Sequence, residues 1–195
     1  MKKRKKKGYS KEWLSIDEVK AMLSIKEMWF DEYMQIYLLY VCALRVSELC
    51  NLKVKDIDFE RETLTIQESK NQVDPMDVPI MSKRLLSLLR KYIDTEGLKT
   101  RDYLFPGQVK GRPITRKAVY ERCKRLAVQA GIRKAISTHT FRRSRATHLI
   151  DAGMSAPKVQ RLLRHKRIKT TMEYYEYSVE EVRKEMFKVD PFAKE

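Results

Sequence analysis

Apolar residues recur along this chain at helical spacing in most places and alternate in one. Ser15-x-x-Glu18 ahead of Val19, Met22 and Leu23 is a capping-box signature that predicts a first helix. Asp31–Leu44 reads as a second helix, apolar nearly all round and therefore central to the core. Arg45–Asn51 follows as a short helix with Val46, Leu49 and Cys50 turned inward. The period then shortens. Lys55–Phe59, Thr63–Gln67 and Met76–Ile80 are β-rich, with a polar turn Ser69–Asp74 between the last two, which predicts a small antiparallel sheet. Pro75 and Pro79 place its last strand at an edge, because proline cannot donate to the ladder.

Helical spacing returns at Ser82–Ile93, where Leu85, Leu86, Leu88 and Leu89 form one face. Leu104-Phe105-Pro106-Gly107 marks an extended piece running into a loop. Thr115 is the expected cap of a helix reaching Ala130, with Gly131 as its C′ residue. Thr138 is the expected cap of another, ending near Gly153, and Ser155 with Pro157 opens one to about Leu163. Ser178–Phe187 is the last expected helix. No internal repeat is present. The pattern predicts an α+β fold, mostly helical, with a small antiparallel β-sheet on one side.

At 195 residues and 43% hydrophobic, the chain suits one compact domain. Charge changes the picture. Lys and Arg number 42 against 26 acidic residues, a formal net charge of +16. Lys2–Lys7 is wholly basic and reads as a disordered arm over residues 1–12, leaving about +10 on the body. A basic body calls for a polyanionic partner, of which nucleic acid is the commonest. The apolar run Ile36–Leu44 is too short to span a bilayer, and no signal peptide is present, so a cytoplasmic protein without membrane partners is expected. Cys42, Cys50 and Cys123 are odd in number and lack metal-ligand spacing. They read as reduced, buried thiols, with no metal and no cofactor expected.

The candidate chemistry is concentrated near the C-terminus. His139, Arg142, His165 and Tyr174 fall in one block, with Arg45 and Lys70 upstream. Attack of a protein nucleophile on a DNA phosphodiester builds an anionic phosphorus centre, and cationic donors aimed at its oxygens supply the rate. Arg45 and Arg142 suit that task, since the guanidinium fork holds two phosphate oxygens and keeps its charge. His139 lies three residues before Arg142, on the same helical face. It contacts the phosphate or accepts a proton. His148 is read as a packing residue. Lys70, in the hairpin turn, is the candidate proton donor to the leaving oxygen. Tyr174, Tyr175 and Tyr177 are all candidate nucleophiles on local grounds, and each suits a core role equally.

These residues, in this order, resemble the tyrosine recombinase (phage integrase) family. Ala43–Leu49 (ALRVSEL), Lys70 followed by Val78-Pro79-Ile80, and His139–Arg143 (HTFRR) match its motifs. So do Ala146–Leu149 with Gly153, Leu163-Arg164-His165, and Thr170–Tyr174 (TTMEY). The resemblance spans Leu14–Tyr177 and singles out Tyr174 as nucleophile. It implies site-specific recombination through a 3′-phosphotyrosine, with a freed 5′-hydroxyl and neither ATP nor metal. It also implies double-stranded DNA as the partner, and self-association on DNA, dimer to tetramer, during strand exchange. The chain departs from the pattern at Arg143, at Arg164 (usually glycine), and in a hairpin one residue longer than usual. Residues 13–195 then form the catalytic domain, with the usual N-terminal core-binding domain expected to be absent. A type IB topoisomerase shares the chemistry, and an integrase-like DNA-binding regulator without strand exchange shares the charge. The motifs ALRVSEL and LLRHKR–TTMEYY favour recombinase over the first, and the complete constellation favours it over the second.

Counterion release makes the charge directly testable. Binding to duplex DNA weakens steeply as salt rises. Deleting Lys2–Lys7 lowers affinity alike for unrelated duplexes and flattens the slope of log affinity against log salt, measured by fluorescence anisotropy.

Overall fold

The computed structural model describes residues 12–67, 75–165 and 167–172. Helix α1 (Ile16–Leu23) opens on the predicted capping box: Ser15 accepts the Glu18 N–H while Glu18 accepts the Ser15 N–H. Helix α2 (Phe30–Val41) runs through the centre, burying Met34, Ile36, Leu38 and Leu39. It ends three residues short of the expected Leu44. Cys42 is its C-cap and Ala43 turns left-handed at φ 48°, which lets Leu44 fold back into the core. Arg45 is the N-cap of α3 (Val46–Asn51) and not its first helical residue.

The sheet is smaller than the pattern suggested at its start. Val54–Asp56 forms a turn of 3-10 helix, and only Ile57–Asp58 remains as strand β1. The reason is local: Asp56 accepts the Lys53 N–H at 2.9 Å, closing a turn where an extended strand was expected. Strands β2 (Thr63–Ile66) and β3 (Met76–Pro79) pair antiparallel with Leu64 opposite Val78, in the order β1-β2-β3. Leu64, Ile66 and Val78 point into the core, while Thr65 and Asp77 hydrogen-bond on the open face at 2.8 Å. β3 lies at the edge, as its prolines require. The β2–β3 turn, with Lys70, lies outside the described residues.

Helix α4 (Lys83–Thr95) is capped by Ser82 and packs Leu85, Leu86, Leu89 and Tyr92 inward; Leu88 is only partly covered. Gly107 crosses closely over Pro113, where an added Cβ would meet the Pro113 carbonyl oxygen at 2.5 Å. Helix α5 (Arg116–Gln129) is capped by Thr115, and Gly131 follows its C-cap at φ 71°. Helix α6 (Thr138–Asp151) begins one residue past the true cap, Ser137, whose N–H donates to the Thr140 hydroxyl. Thr138 is thus the first helical residue and not the cap. Helix α7 (Ala156–Leu163) follows Ser155 as expected. Helix α8 (Ile168–Met172) had no counterpart in the sequence reading, and the expected helix Ser178–Phe187 lies outside the described residues.

The result is a mostly helical domain with a three-stranded antiparallel sheet at one side. One large core unites α1–α6 and the sheet, and a smaller cluster of Ala43, Ala146, Val159 and Leu163 joins the end of α2 to α6 and α7. Burial pushes the thiols of Cys42 and Cys123 up to about 12, which keeps both protonated and inert. Phe141, fully buried on α6 beside the site, is a sensitive reporter of this packing. Phe141→Ala is expected to destabilise the fold by about 3–5 kcal/mol in urea unfolding, through lost burial plus the cavity left behind.

Candidate active site

The left-handed turn at Ala43 leaves its carbonyl facing the space between α3, α6 and α7. Arg142 Nη1 donates to that oxygen at 2.8 Å and Arg164 Nη2 at 3.1 Å. A non-glycine residue in this conformation costs roughly 1–2 kcal/mol. The fully buried Ala43 side chain, packed on Ala146, Val159 and Leu163, helps to offset it.

Glu48 occupies the third position of α3, so its carboxylate reaches back to the Arg45 N–H at 2.7 Å. From there both oxygens are engaged. Arg45 Nη1 donates to Oε1 at 2.6 Å, Arg164 Nε to Oε1 at 3.3 Å, and Arg164 Nη2 to Oε2 at 2.7 Å. Arg142 Nη1 lies 4.0 Å from Oε2. Burial alone pushes the Glu48 pKa up. The charge and hydrogen bond of Arg164, then the backbone and charge of Arg45, outweigh it and hold the group below its ordinary value. The carboxylate is therefore ionised, with three guanidiniums around it.

Arg142 is fully buried, and its helical neighbour three residues earlier, His139, sits at the first turn of α6 with an open edge. Arg45 stays one-third exposed, with Nη2 donating to the Arg164 carbonyl at 3.1 Å. Arg164 ends α7 at φ 52°, and this left-handed cap directs the next residue, His165, away from the helix. His165 is then held from two sides: its N–H donates to the Gln160 carbonyl at 3.1 Å, and its Nδ1 lies 2.9 Å from the buried Thr171 hydroxyl on α8.

Four of the six residues expected from sequence therefore come together: Arg45, His139, Arg142 and His165. Lys70 and Tyr174 lie outside the described residues, as do Tyr175 and Tyr177. Three residues were not singled out as site groups, namely Glu48, Arg164 and Thr171. Glu48 and Thr171 stood inside quoted motifs, and Arg164 stood out as a departure from one. His148 does pack as expected, with Nδ1 2.8 Å from the Tyr40 hydroxyl across α2 and α6. Among the described residues no group of three or more His, Cys, Asp or Glu is placed to hold a metal ion, and no helix is long and apolar enough to cross a membrane.

The imidazoles are tuned in one direction. Burial first, then Arg142, Arg143 and Arg45, push His139 from near 6.5 down to about 4. Burial, then Arg142, Arg45, His139 and Arg164, push His165 down to about 4 as well. Both rings are neutral at pH 7. Each offers one N–H and one lone pair beside a concentration of fixed positive charge.

A mostly helical domain with a three-stranded sheet thus brings Arg45, His139, Arg142 and His165 to one place, with both histidines neutral. Residues 12–181 match the phage integrase family, and the chain belongs to it. It is 37% identical over 163 residues to a tyrosine recombinase of Pseudothermotoga lettingae, covering 84% of this chain and 55% of that protein. It is 33% identical over 172 residues to tyrosine recombinase XerA of Pyrococcus horikoshii, covering 87% and 58%. The chain thus spans a little over half the length of these relatives. Among solved structures, XerA recombinase superimposes with a TM-score of 0.76 at 25% identity, covering 97% of this chain and 68% of that one.

The depressed histidines fix a pH dependence. Unfolding releases them to an ordinary pKa near 6.5, so the unfolded chain binds more protons than the folded one below that pH. Their contribution to stability is full above about pH 6.5 and is lost as pH falls toward about 4. Urea unfolding from pH 7 to 4 is expected to show this decline, and NMR titration of the free protein to place both rings near pH 4.

Proposed function

We propose that this chain is the catalytic unit of a site-specific tyrosine recombinase that breaks and rejoins DNA through a 3′-phosphotyrosine. The observation that carries the reading is the convergence of Arg45 and Arg142 on the Glu48–Ala43 anchor with His165 beside them, in a chain of this family. In this reading Arg45 and Arg142 hold the non-bridging oxygens of the scissile phosphate. Their charge is greatest in value where the pentacovalent centre gains negative charge.

Tyr174 is the nucleophile. Its phenol, with a free pKa of about 10, needs a proton acceptor, and neutral His139 is available as one at pH 7. The tyrosine oxygen bonds to phosphorus, the bond to the 5′ oxygen breaks, and Lys70 supplies the proton that makes it a hydroxyl. His165 donates from Nε2 to the phosphate, and in that tautomer its Nδ1 accepts from the Thr171 hydroxyl 2.9 Å away. The attack of a partner strand's 5′-hydroxyl reverses each step and returns the tyrosine, so the phosphodiester energy is conserved and no ATP is consumed.

Double-stranded DNA is the substrate class, supported by the net charge of +16. Residues 13–195 serve as the catalytic unit and Lys2–Lys7 as an arm that follows the phosphate backbone. Exchange of strands requires two duplexes, so self-association on DNA, from dimer to tetramer, belongs to the same proposal.

The test is covalent capture. A nicked duplex, from which the 5′-hydroxyl fragment diffuses away, should leave a denaturation-resistant protein–DNA adduct. Tyr174→Phe is expected to abolish it. Arg45→Ala and Arg142→Ala are each expected to slow it by about 10²–10³ with a far smaller change in DNA affinity. An adduct that persists in Tyr174→Phe and maps to Tyr175 or Tyr177 would overturn the assignment of the nucleophile.

A further inference from the structure

We propose that Arg164 is a positioning residue that locks Arg45, Arg142 and His165 into one unit. It acts through the Glu48 carboxylate and the Ala43 carbonyl. The inference rests on the proposed recombinase reading for its catalytic consequence, and on contacts alone for its mechanical one. Arg164 makes an improbable pair of choices for a surface turn. Its backbone adopts a left-handed conformation that favours glycine, and its charged side chain is completely buried.

Every polar end of that side chain is engaged. Nε and Nη2 hold the two oxygens of Glu48, Nη2 also reaches the Ala43 carbonyl, and Nη1 closes on the Leu162 carbonyl at 2.7 Å. Its own backbone carbonyl receives Arg45 Nη2. Arg164 therefore touches the carboxylate that orients Arg45, the carbonyl that orients Arg142, and Arg45 itself. It is also covalently joined to His165.

The geometry makes the turn and the site interdependent. With glycine at this position the same backbone turn forms with less strain, yet the side-chain ties of α7 to α3 are lost and only the Arg45 bond to the backbone carbonyl remains. Glu48 then loses two of its donors, and Arg45 swings on a carboxylate held from one side only. A displacement of about 1 Å in a phosphate-holding group is enough to slow a reaction about 10²-fold. Arg164 touches no substrate in this scheme. It acts on rate by limiting where the three other side chains sit.

Single-turnover adduct formation on the nicked duplex, at saturating protein, separates positioning from binding. Arg164→Gly is expected to form adduct about 10–100-fold more slowly with unchanged DNA affinity. Guanidinium at millimolar concentration restores part of the rate by filling the vacated site, and urea at the same concentration does not. Arg164→Lys, which keeps charge but loses the fork, is expected to fall between wild type and Arg164→Gly. NMR relaxation of the Arg45 Nε–H, assigned through its disappearance in Arg45→Lys, is expected to show a more mobile Arg45 in Arg164→Gly. This measurement needs no DNA. Wild-type adduct rates in Arg164→Gly would overturn the proposal, as would a rate loss matched by an equal loss of affinity. If the wild-type chain itself forms no adduct, the recombinase reading fails. The positioning role is then decided by the Arg45 relaxation alone: supported if Arg45 loosens in Arg164→Gly and refuted if it does not.

Discussion

A single buried carboxylate, Glu48, is the constraint on which the rest of the site depends. Arg45 and Arg164 lie within hydrogen-bond distance of it and Arg142 at 4.0 Å, so three positive groups share one negative one. Two unit charges about 4 Å apart interact by about 4 kcal/mol at a dielectric typical of partly exposed protein sites. Without Glu48 the guanidiniums would repel one another and the cluster would open. With Glu48 the cluster holds together and still keeps a surplus of positive charge. Buried ion pairs are weak evidence of stability but well suited to fixing geometry. Here the geometry fixed is that of Arg45 at the cap of α3 and Arg142 on α6.

The same surplus helps to set the state of the histidines. Burial first, and then the fixed cations beside them, make the protonated forms expensive, which is why both rings fall to about 4. An anionic group bound beside them would relieve that field and raise both values. The cost of assembling such a site shows in the backbone. Ala43 and Arg164, whose carbonyls receive the donors of Arg142 and Arg45, are both left-handed without being glycine. Strain at these points is held in place by packing beneath them and by the hydrogen bonds they accept.

Much of the fold was legible because local chemistry decided it. The capping box at Ser15, the caps at Ser82 and Thr115, the edge strand at Pro79 and the alternation in Thr63–Ile66 all follow from short-range rules. The misplaced boundaries have equally local causes. Apolar periodicity continues through Leu44, but the chain leaves the helix at Cys42 because the route into α3 requires a left-handed Ala43. Helix α8 is five residues of mostly polar sequence, too short to carry a period. Arg45, His139, Arg142 and His165 were visible as a pattern of reactive types in order. Glu48 and Arg164 were not, because what makes them matter is a contact across 116 residues of sequence. No spacing rule reports that, and only the arginine standing where glycine is usual hinted at it.

The basic residues of this chain therefore divide into two kinds, although composition counts them alike. Residues such as Arg116, Lys117 and Lys124 are exposed on α5, and their charge acts through the general field that draws in a polyanion. Arg142 and Arg164 have no side-chain surface at all, and their donors are engaged by Glu48 and the Ala43 carbonyl inside the domain. Buried charge of this kind is retained only where its partners are fixed, since an uncompensated guanidinium in the core would unfold the domain. The arrangement thus couples folding to the site. The contacts that let α3, α6 and α7 meet in one domain are the contacts that aim its cations at a common point. A phosphodiester bound at that point would complete the charge balance that Glu48 leaves unfinished.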